Sequence, residues 1–212
     1  VCNWEMGTKD VLIIEKQDKV GGTSATSGGG IWIPNSHYAK EVGAEDSPEA
    51  AKAYLMNTLF GEDVPEEMID IYLEKAPEML KYLHDRTDVR YESLAEYPDY
   101  YTNMEGAREG HRSLEPAPIM ASELGATWKN MTWTHFMMRM FNRIHFTQVE
   151  AHLLMVQLPG WKKLLARLMW DYIRDIPWRL KTPISRRLAC GSAGVARLYL
   201  SLIHISEPTR RK

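Results

Sequence analysis

Apolar residues near the start of the chain form a short run with the character of a β-strand. Residues 11–14 are Val, Leu, Ile and Ile, and the polar pair Glu15-Lys16 follows them directly. A run this rich in β-branched residues predicts a strand buried on both faces of a parallel sheet. Glu15 then lies at the carboxyl end of the strand, where open α/β sheets bind their ligands and where an acid commonly accepts hydrogen bonds from an adenosine ribose.

Further along, the apolar pattern changes to helical stripes. Ser47-Pro48-Glu49 predicts a helix start, because serine is a good N-cap and proline suits the first helical position. A second start falls at residues 63–67, and Pro77 is expected to break or kink the helix that follows. Residues 89–94 alternate between apolar and polar and predict a short strand.

The most unusual stretch is the glycine-rich segment at residues 21–30, which has almost no side-chain bulk. A backbone this bare can approach a pyrophosphate or a flat ring closely. The alternative is a strand followed by a flexible linker. The immediate return of bulky side chains at Ile31-Trp32-Ile33 favours the nucleotide-cofactor interpretation, since linkers do not usually end in a tryptophan flanked by isoleucines.

Two later segments allow two interpretations each. Residues 127–144 are rich in tryptophan, methionine and phenylalanine, which suits either a core or the lining of a channel for a flat apolar substrate. Residues 151–178 have apolar residues in helical spacing and basic residues on the other faces. That pattern is typical of an ordinary solvated helix or of a helix that lies on a membrane surface.

Composition excludes several classes of protein. The formal net charge is −2, so nothing marks the chain as a nucleic-acid binder. Cys2 and Cys190 lie far apart without metal-ligand partners at useful spacing, which argues against a disulfide scaffold and a zinc site. No apolar run approaches the roughly 20 residues of a membrane span. We therefore expect a cytoplasmic protein, with peripheral membrane contact as the second interpretation of residues 151–178.

Two motifs resemble a known family. Residues 15–35, EKQDKVGGTSATSGGGIWIPN, resemble the second-strand and flavin-contact segment of the FAD-dependent fumarate reductase/3-ketosteroid dehydrogenase family. The block Tyr97-Pro98-Asp99-Tyr100-Tyr101 is followed by a pattern that resembles the 3-ketosteroid Δ1-dehydrogenase branch, formed by Gly106, Gly110, Arg112, Ser113 and Pro116. Without the resemblance, a turn with aromatic packing is the favoured interpretation of the tyrosine block.

The resemblance implies an α/β fold. In this family the strand that carries Glu15 is the second of its sheet, so residues 1–199 are expected to be part of a Rossmann-like FAD-binding domain. The first strand and its G-x-G-x-x-G turn would be missing, and the remainder would be largely helical. Residues 200–212 resemble a translated sequencing adapter, and resequencing is expected to give a different continuation after Tyr199.

The resemblance also implies the site. Glu15 would bind the adenosine ribose of FAD, and Lys16 would cover the adenine. The remaining cofactor contacts would run along the pyrophosphate, the ribityl chain and the isoalloxazine, and they are Gly21, Gly22, Thr23, Ser24, Ser27, Gly28 and Gly29. Tyr100 would support a catalytic tyrosine base, since a second tyrosine can stabilise a developing phenolate. No metal site is expected.

The implied reaction is the 1,2-desaturation of a 3-ketosteroid with hydride transfer to FAD, and the electron acceptor that reoxidises the flavin is not specified. In this family the base and the ketone-polarising groups lie beyond Tyr199, so the isolated chain is expected to be inactive and to retain little FAD. Two alternatives stay open. One is another fumarate-reductase-like or Δ4-type flavoprotein, and the other is a non-catalytic, membrane-associated helical protein.

Overall fold

The chain forms two compact units in the computed structural model, which describes residues 2–8 and 10–206. The first unit comprises Val1–Gly29, Thr87–Arg90 and Pro116–Lys212. The second comprises Gly30–Arg86 and Tyr91–Glu115. The second unit is therefore inserted into the sequence of the first, so each unit contains segments that are distant along the chain.

Helices predominate over strands in the described chain. In order, the α-helices are α1 (Cys2–Glu5), α2 (Gly22–Thr26), α3 (His37–Glu41), α4 (Pro48–Thr58), α5 (Glu66–Arg86), α6 (Gln148–Val156), α7 (Trp161–Arg174), α8 (Ile176–Arg179) and α9 (Cys190–Ser206). The strands are β1 (Ile31–Trp32), β2 (Tyr91–Ser93), β3 (Ser113–Pro116), β4 (Ile119–Met120), β5 (Arg139–Met140), β6 (Ile144–His145) and β7 (Arg187–Leu188). Two 3-10 segments of the described chain cover Ala121–Asn130, with a kink at Gly125, and Phe136–Met138. The presence of both helices and strands agrees with the predicted α/β class. The agreement extends no further than this mixed content.

The second unit packs helices against a small sheet of order β1-β3-β2. β1 and β3 are antiparallel, with Ile31 opposite Leu114. Helix α4 begins as predicted, because the Ser47 side chain accepts a hydrogen bond from the Ala50 amide at 3.0 Å. Strand β2 confirms the short strand expected within residues 89–94. The core of this unit contains Ile33, Tyr38, Ala76, Leu80 and Leu114.

Helix α5 passes through Pro77 without interruption. The break that we predicted there as one outcome does not occur. Proline removes one intrahelical hydrogen bond, at a cost of about 3 kcal/mol. Ala76 and Leu80 are buried on either side of Pro77, and the apolar contacts of this face offset that cost.

The first unit has its main core around α9. Strands β4 and β7 pair antiparallel, and the core consists of Ile119, Ala121, Leu124, Met131, Trp178, Leu188, Ala193, Ala196 and Leu200. Trp128 and Trp133 pack against this core, whereas Phe136, Met137 and Phe141 are exposed. A smaller cluster of Ile144, Leu164 and Leu168 lies between β6 and α7. The aromatic and methionine residues at 127–144 are thus divided between core and surface.

The predicted buried strand at residues 11–14 is wrong. These residues have no regular secondary structure, and their side chains are between 47% and 84% exposed. A strand needs neighbouring strands to satisfy its amides and carbonyls. Among the described residues, none pairs with this run. The apolar composition of residues 11–14 therefore indicates that the run suits a buried strand. Composition does not supply the neighbouring strands that such a strand requires.

The predicted amphipathic helix at residues 151–178 consists of three helices rather than one. A turn at Pro159-Gly160 separates α6 from α7, and Asp175 separates α7 from α8. In the described residues no helix combines the length and the apolar composition that a membrane span requires.

Helix α9 continues across the predicted boundary at residue 199, with Leu200 and Ser201 buried. Residues 207–212, which belong to the proposed adapter segment, lie outside the described residues.

Candidate functional site

The glycine-rich segment folds into a tight turn and a short helix rather than an open loop. Gly21 has φ +121° and Gly22 has φ +48°, which are backbone conformations that favour glycine. The following residues Gly22–Thr26 form α2, with Thr23 and Ser24 exposed. The Ser27 hydroxyl donates to the carbonyl of Ser24 at 2.9 Å and accepts from the amide of Gly29 at 3.0 Å. Ser27 therefore stabilises the turn that ends this segment.

Helix α9 holds the segment from one side. The Gly191 amide donates to the carbonyl of Ser27 at 3.0 Å. A β-carbon on Gly191 would lie 2.0 Å from the carbonyl oxygen of Ser24, and one on Gly29 would lie 2.7 Å from Gly191 itself. Close packing of the backbone at Gly191 against residues 24–29 therefore restricts the path of this segment.

A cavity of about 830 Å³ lies beside the start of this segment. Glu15, Val20 and Gly21 line it together with apolar side chains, among them Val195 and Leu198 of α9. The carboxylate of Glu15 also accepts the amide of Gln17 at 3.0 Å. A carboxylate can accept hydrogen bonds from sugar hydroxyls, and a residue without a side chain allows close approach, so this largely apolar cavity suits a nucleotide with a hydroxylated sugar.

The structure brings only part of the predicted cofactor set to this cavity. Glu15 and Gly21 line it, while Lys16 is exposed and outside the lining residues. Gly28 lies near the ends of Met138 and Gln148. The remaining predicted contacts, from Gly22 to Gly29, continue along α2 and the turn after it.

Tyr100 belongs to the second unit, whereas residues 15–29 belong to the first. Its side chain is 85% exposed. The Tyr100 hydroxyl is hydrogen-bonded to Tyr97, and this bond, together with partial burial, raises the pKa of Tyr97 above its ordinary value. Tyr101, the next residue, instead packs its ring against Phe60. The two adjacent tyrosines thus have different surroundings, and Tyr100 is the one that forms a tyrosine pair.

Beneath the tyrosines lies a buried ion-pair network centred on Arg112. Its guanidinium donates to Asp99 at 2.8 Å and to both carboxylate oxygens of Asp46 at 2.7 and 2.9 Å. Asp99 also accepts from the indole of Trp32 at 2.7 Å. Burial alone would raise the pKa of Asp46, but the hydrogen bonds and charge of Arg112 outweigh it, so this pKa lies below its ordinary value.

Sequence reasoning assigned no role to this network. Asp99 and Arg112 were noticed only as parts of a motif, and Asp46 was missed. Asp46 lies 66 residues from Arg112, and its local pattern does not distinguish it from a solvated acid before a helix start. No signal within a single sequence could have identified this pairing.

Metal binding has no support in the described part of the chain. No group of three or more His, Cys, Asp or Glu residues there could hold a metal ion.

Cys190 is buried and its thiol donates to the carbonyl of Phe146 at 3.3 Å.

The profile of the FAD binding domain family matches residues 4–202. The chain therefore belongs to the FAD binding domain family, whose cofactor is FAD. Glu15 and Gly21, which line the cavity, lie within the matched residues.

Similarity to individual proteins is more specific. The chain is 35% identical over 195 residues to the 3-oxosteroid 1-dehydrogenase of Comamonas testosteroni, covering 92% of this chain and 34% of that protein. It is 44% identical over 115 residues to the 3-oxosteroid 1-dehydrogenase of Mycobacterium tuberculosis, covering 54% of this chain and 20% of that protein.

A solved structure gives a similar result. The crystal structure of 3-ketosteroid delta1-dehydrogenase from Sterolibacterium denitrificans, in complex with 1,4-androstadiene-3,17-dione, matches with a TM-score of 0.86 at 35% identity. The match covers 92% of this chain and 34% of that one. The chain thus spans about a third of the length of the relatives that match most of it.

Proposed function

We propose that this chain is part of an FAD-dependent oxidoreductase that desaturates the 1,2 bond of a 3-ketosteroid. The observation that carries the proposal is the 35% identity over 92% of the chain to a 3-oxosteroid 1-dehydrogenase. The steroid substrate is inferred from the names of the relatives, and the electron acceptor is left open. We expect the full-length gene product to convert a 3-ketosteroid into the Δ1 product. It should not form a Δ4 product, and it should not reduce fumarate.

The two-electron chemistry comes from FAD when it is bound. The residues of this chain would bind FAD and fix its orientation. Glu15 would accept hydrogen bonds from the ribose hydroxyls, and the bare backbone at Gly21 and Gly22 would allow close approach of the nucleotide. Residues 22–29, supported by α9, would continue the contact along the cofactor. We further propose that the first strand of the sheet and its G-x-G-x-x-G turn precede these residues in the full-length protein.

Replacing Glu15 with alanine in the full-length gene product is expected to weaken FAD retention about 10-fold or more, because a hydrogen bond to a charged group contributes about 1.5–3 kcal/mol. Flavin content after dialysis, measured by absorbance, gives the result. Asp18→Ala is the matched control, since Asp18 is a nearby exposed acid outside the cavity lining. Equal flavin content in Glu15→Ala and Asp18→Ala would contradict the role of Glu15.

We propose that Tyr100 stabilises the catalytic tyrosine base of the full-length protein, which is a different residue from Tyr97. Tyr100→Phe should lower kcat for a 3-ketosteroid by about 10-fold, less than the roughly 100-fold or more that a direct proton-transfer group contributes, because Tyr100 acts through the base. Flavin content should stay unchanged. The control is Tyr101→Phe, which keeps the ring contact with Phe60 and should retain activity. Identical rates for Tyr100→Phe and the unmodified protein would exclude this role.

We also propose that the protein is cytoplasmic and contacts a membrane surface through the region of α7 and α8. Large apolar side chains are exposed there, namely Trp170, Ile173, Ile176 and Leu180. Basic residues of α7, such as Lys162 and Lys163, lie on the same helix. Exposed apolar residues with basic neighbours are typical of interfacial binding.

Co-sedimentation of the full-length gene product with anionic vesicles tests this contact. The double variant Trp170→Ser, Leu180→Ser should lower the bound fraction at least about 10-fold, because each loses apolar area that would enter the lipid. Val42→Ser is the control, since Val42 is an exposed apolar residue of the second unit. The absence of vesicle binding by the unmodified protein would refute the membrane contact.

A further inference from the structure

The side chain of Tyr100 is exposed, although the proposed function gives its hydroxyl a part in catalysis. Its exposed fraction is 85%, and its hydroxyl is hydrogen-bonded to Tyr97. Groups that act in catalysis must stay close to their productive position, because a displacement of about 1 Å can lower a rate about 100-fold. Little packing surrounds this exposed ring, so the position of Tyr100 depends mainly on the backbone to which it is attached.

The residue before Tyr100, Asp99, is buried and is held by both its backbone and its side chain. The Asp99 amide donates to the carbonyl of Arg108 at 2.9 Å, and the amide of Arg108 donates to Asp99 Oδ2 at 3.0 Å. On the other side of Tyr100, the amide of Tyr101 donates to the hydroxyl of Tyr54 at 3.3 Å. The backbone of Tyr100 therefore lies between two anchored neighbours.

The carboxylate of Asp99 also connects the tyrosine motif to strand β1. Its Oδ1 accepts from the indole of Trp32 at 2.7 Å, and its Oδ2 accepts from the guanidinium of Arg112 at 2.8 Å. Trp32 belongs to β1, which directly follows the glycine-rich segment in the sequence and pairs with β3. The ring of Trp32 is itself stacked on that of Tyr72. Asp99 thus ties the segment that carries Tyr100 to the sheet of the second unit.

We propose that Asp99 is a positioning residue for Tyr100. Its carboxylate fixes the backbone of Tyr100, so that the tyrosine hydroxyl reaches the catalytic base of the full-length protein. Asp99 is buried and acts through Tyr100 rather than on the substrate itself. Hydrogen bonds to an ionised acceptor are about twice as strong as bonds between neutral groups, which suits a group that must hold a loop in place. The inference rests on the proposed function, because Tyr100 takes part in catalysis only in that proposal.

Asp99→Asn in the full-length gene product tests the proposal. One carboxylate oxygen becomes an NH2 group, which in either orientation faces an N–H donor and cannot accept from it. We expect kcat for a 3-ketosteroid to fall about five-fold, because a loss that acts through Tyr100 cannot exceed the about 10-fold loss expected of Tyr100→Phe. Flavin content and KM should stay within about two-fold of the unmodified protein, since neither cofactor nor substrate binding is removed.

A double-mutant cycle and a pH profile separate positioning from a merely structural role. Adding Asp99→Asn to Tyr100→Phe should lower kcat by less than about two-fold further, because both changes remove the same contribution. The rising limb of kcat against pH should move to higher pH in Asp99→Asn, as in Tyr100→Phe, since the base loses stabilisation of its phenolate. Effects that multiply in the double variant, or a pH profile that stays in place in Asp99→Asn, would overturn the proposal.

Asp46→Asn is the matched control. Asp46 is also a buried acid bonded to Arg112, at 2.7 and 2.9 Å, but it lies just before α4 and outside the tyrosine motif. Asp46→Asn should lower the midpoint of urea unfolding as Asp99→Asn does, while kcat stays within about two-fold of the unmodified protein. Equal losses of kcat in the two variants would show that the ion-pair network acts only through stability, and would overturn the proposal.

Trp32→Phe is a milder test that keeps the buried ion pair of Asp99 with Arg112. It removes one donor to Asp99 and retains an aromatic ring, so kcat should fall about three-fold with the same direction of pH shift. An unchanged kcat and pH profile in Trp32→Phe, where Tyr100→Phe is impaired, would overturn the positioning role alone. Failure of the unmodified full-length gene product to desaturate a 3-ketosteroid would instead overturn the proposed function, and this inference with it.

Discussion

Replacing Arg112 with methionine is expected to lower the free energy of unfolding by about 3–5 kcal/mol, the cost of leaving buried charges without their partner. The guanidinium and both carboxylates are almost fully withdrawn from solvent, with side-chain exposures of 2% for Arg112 and Asp99 and 9% for Asp46. Methionine keeps an unbranched apolar stem but lacks the guanidinium, so the loss arises mainly from the charge and its hydrogen bonds to Asp46 and Asp99. Urea denaturation of the full-length gene product measures it.

Arg108→Met is the matched control for this prediction. Arg108 also approaches Asp46, at 3.4 Å, but its side chain is 43% exposed. Surface ion pairs contribute about 0–1 kcal/mol, so the control should remain within that range of the unmodified protein. Similar losses in Arg108→Met and Arg112→Met would show that burial of the network has no energetic role.

The difference between the Arg112→Met variant and the unmodified protein should depend on pH. In the unmodified protein the pKa of Asp46 is depressed, so its contribution is present above the ordinary aspartate pKa and is lost as the pH falls through the folded value. In the variant, protonation relieves the unpaired carboxylates. The gap in unfolding free energy should therefore be largest near about pH 7 and should narrow as the pH falls below about 4. A gap that widens in acid would contradict this account.

Replacing Gly191 with alanine should both destabilise the first unit and abolish FAD retention. The new β-carbon would lie 2.0 Å from the carbonyl oxygen of Ser24 and 2.7 Å from that of Ser27. Both atoms are backbone, so α9 or α2 must move. We expect a loss of at least about 3 kcal/mol, at the upper end of the cost of overpacking. Thermal unfolding and flavin absorbance of the full-length gene product give the two readouts.

Gly28→Ala is the stability control for Gly191→Ala. A β-carbon on Gly28 would meet only the flexible ends of Met138, at 3.5 Å, and Gln148, at 3.8 Å. Its unfolding free energy should change by less than about 1 kcal/mol, as for sites without steric conflict. Because Gly28 is itself a proposed flavin contact, only stability is compared between the two variants. Equal destabilisation would mean that the α2 and α9 contact can rearrange freely.

Short-range features of the chain were predictable because their causes lie within a few residues. Ser47-Pro48-Glu49 combines a capping side chain, a constrained φ and an acid near the helix dipole, so α4 begins where expected. Glycines at 21 and 22 indicate a backbone that other residues rarely adopt, and the structure has both at positive φ. The family could be identified for the same reason, since its flavin-contact motif at residues 15–35 is contiguous.

Other features were decided only by the tertiary structure, because they depend on groups that are distant in sequence. The run at residues 11–14 has the composition of a buried strand but lacks a paired neighbour among the described residues. Arg112 becomes a buried cation only because Asp46 and Asp99 meet it. The amide and Nδ1 of buried His145 have a hydrogen-bond partner only because Ser185, 40 residues away, lies beside them. Local propensity acts within a turn or two of the chain, whereas burial and pairing of charge are properties of the folded whole.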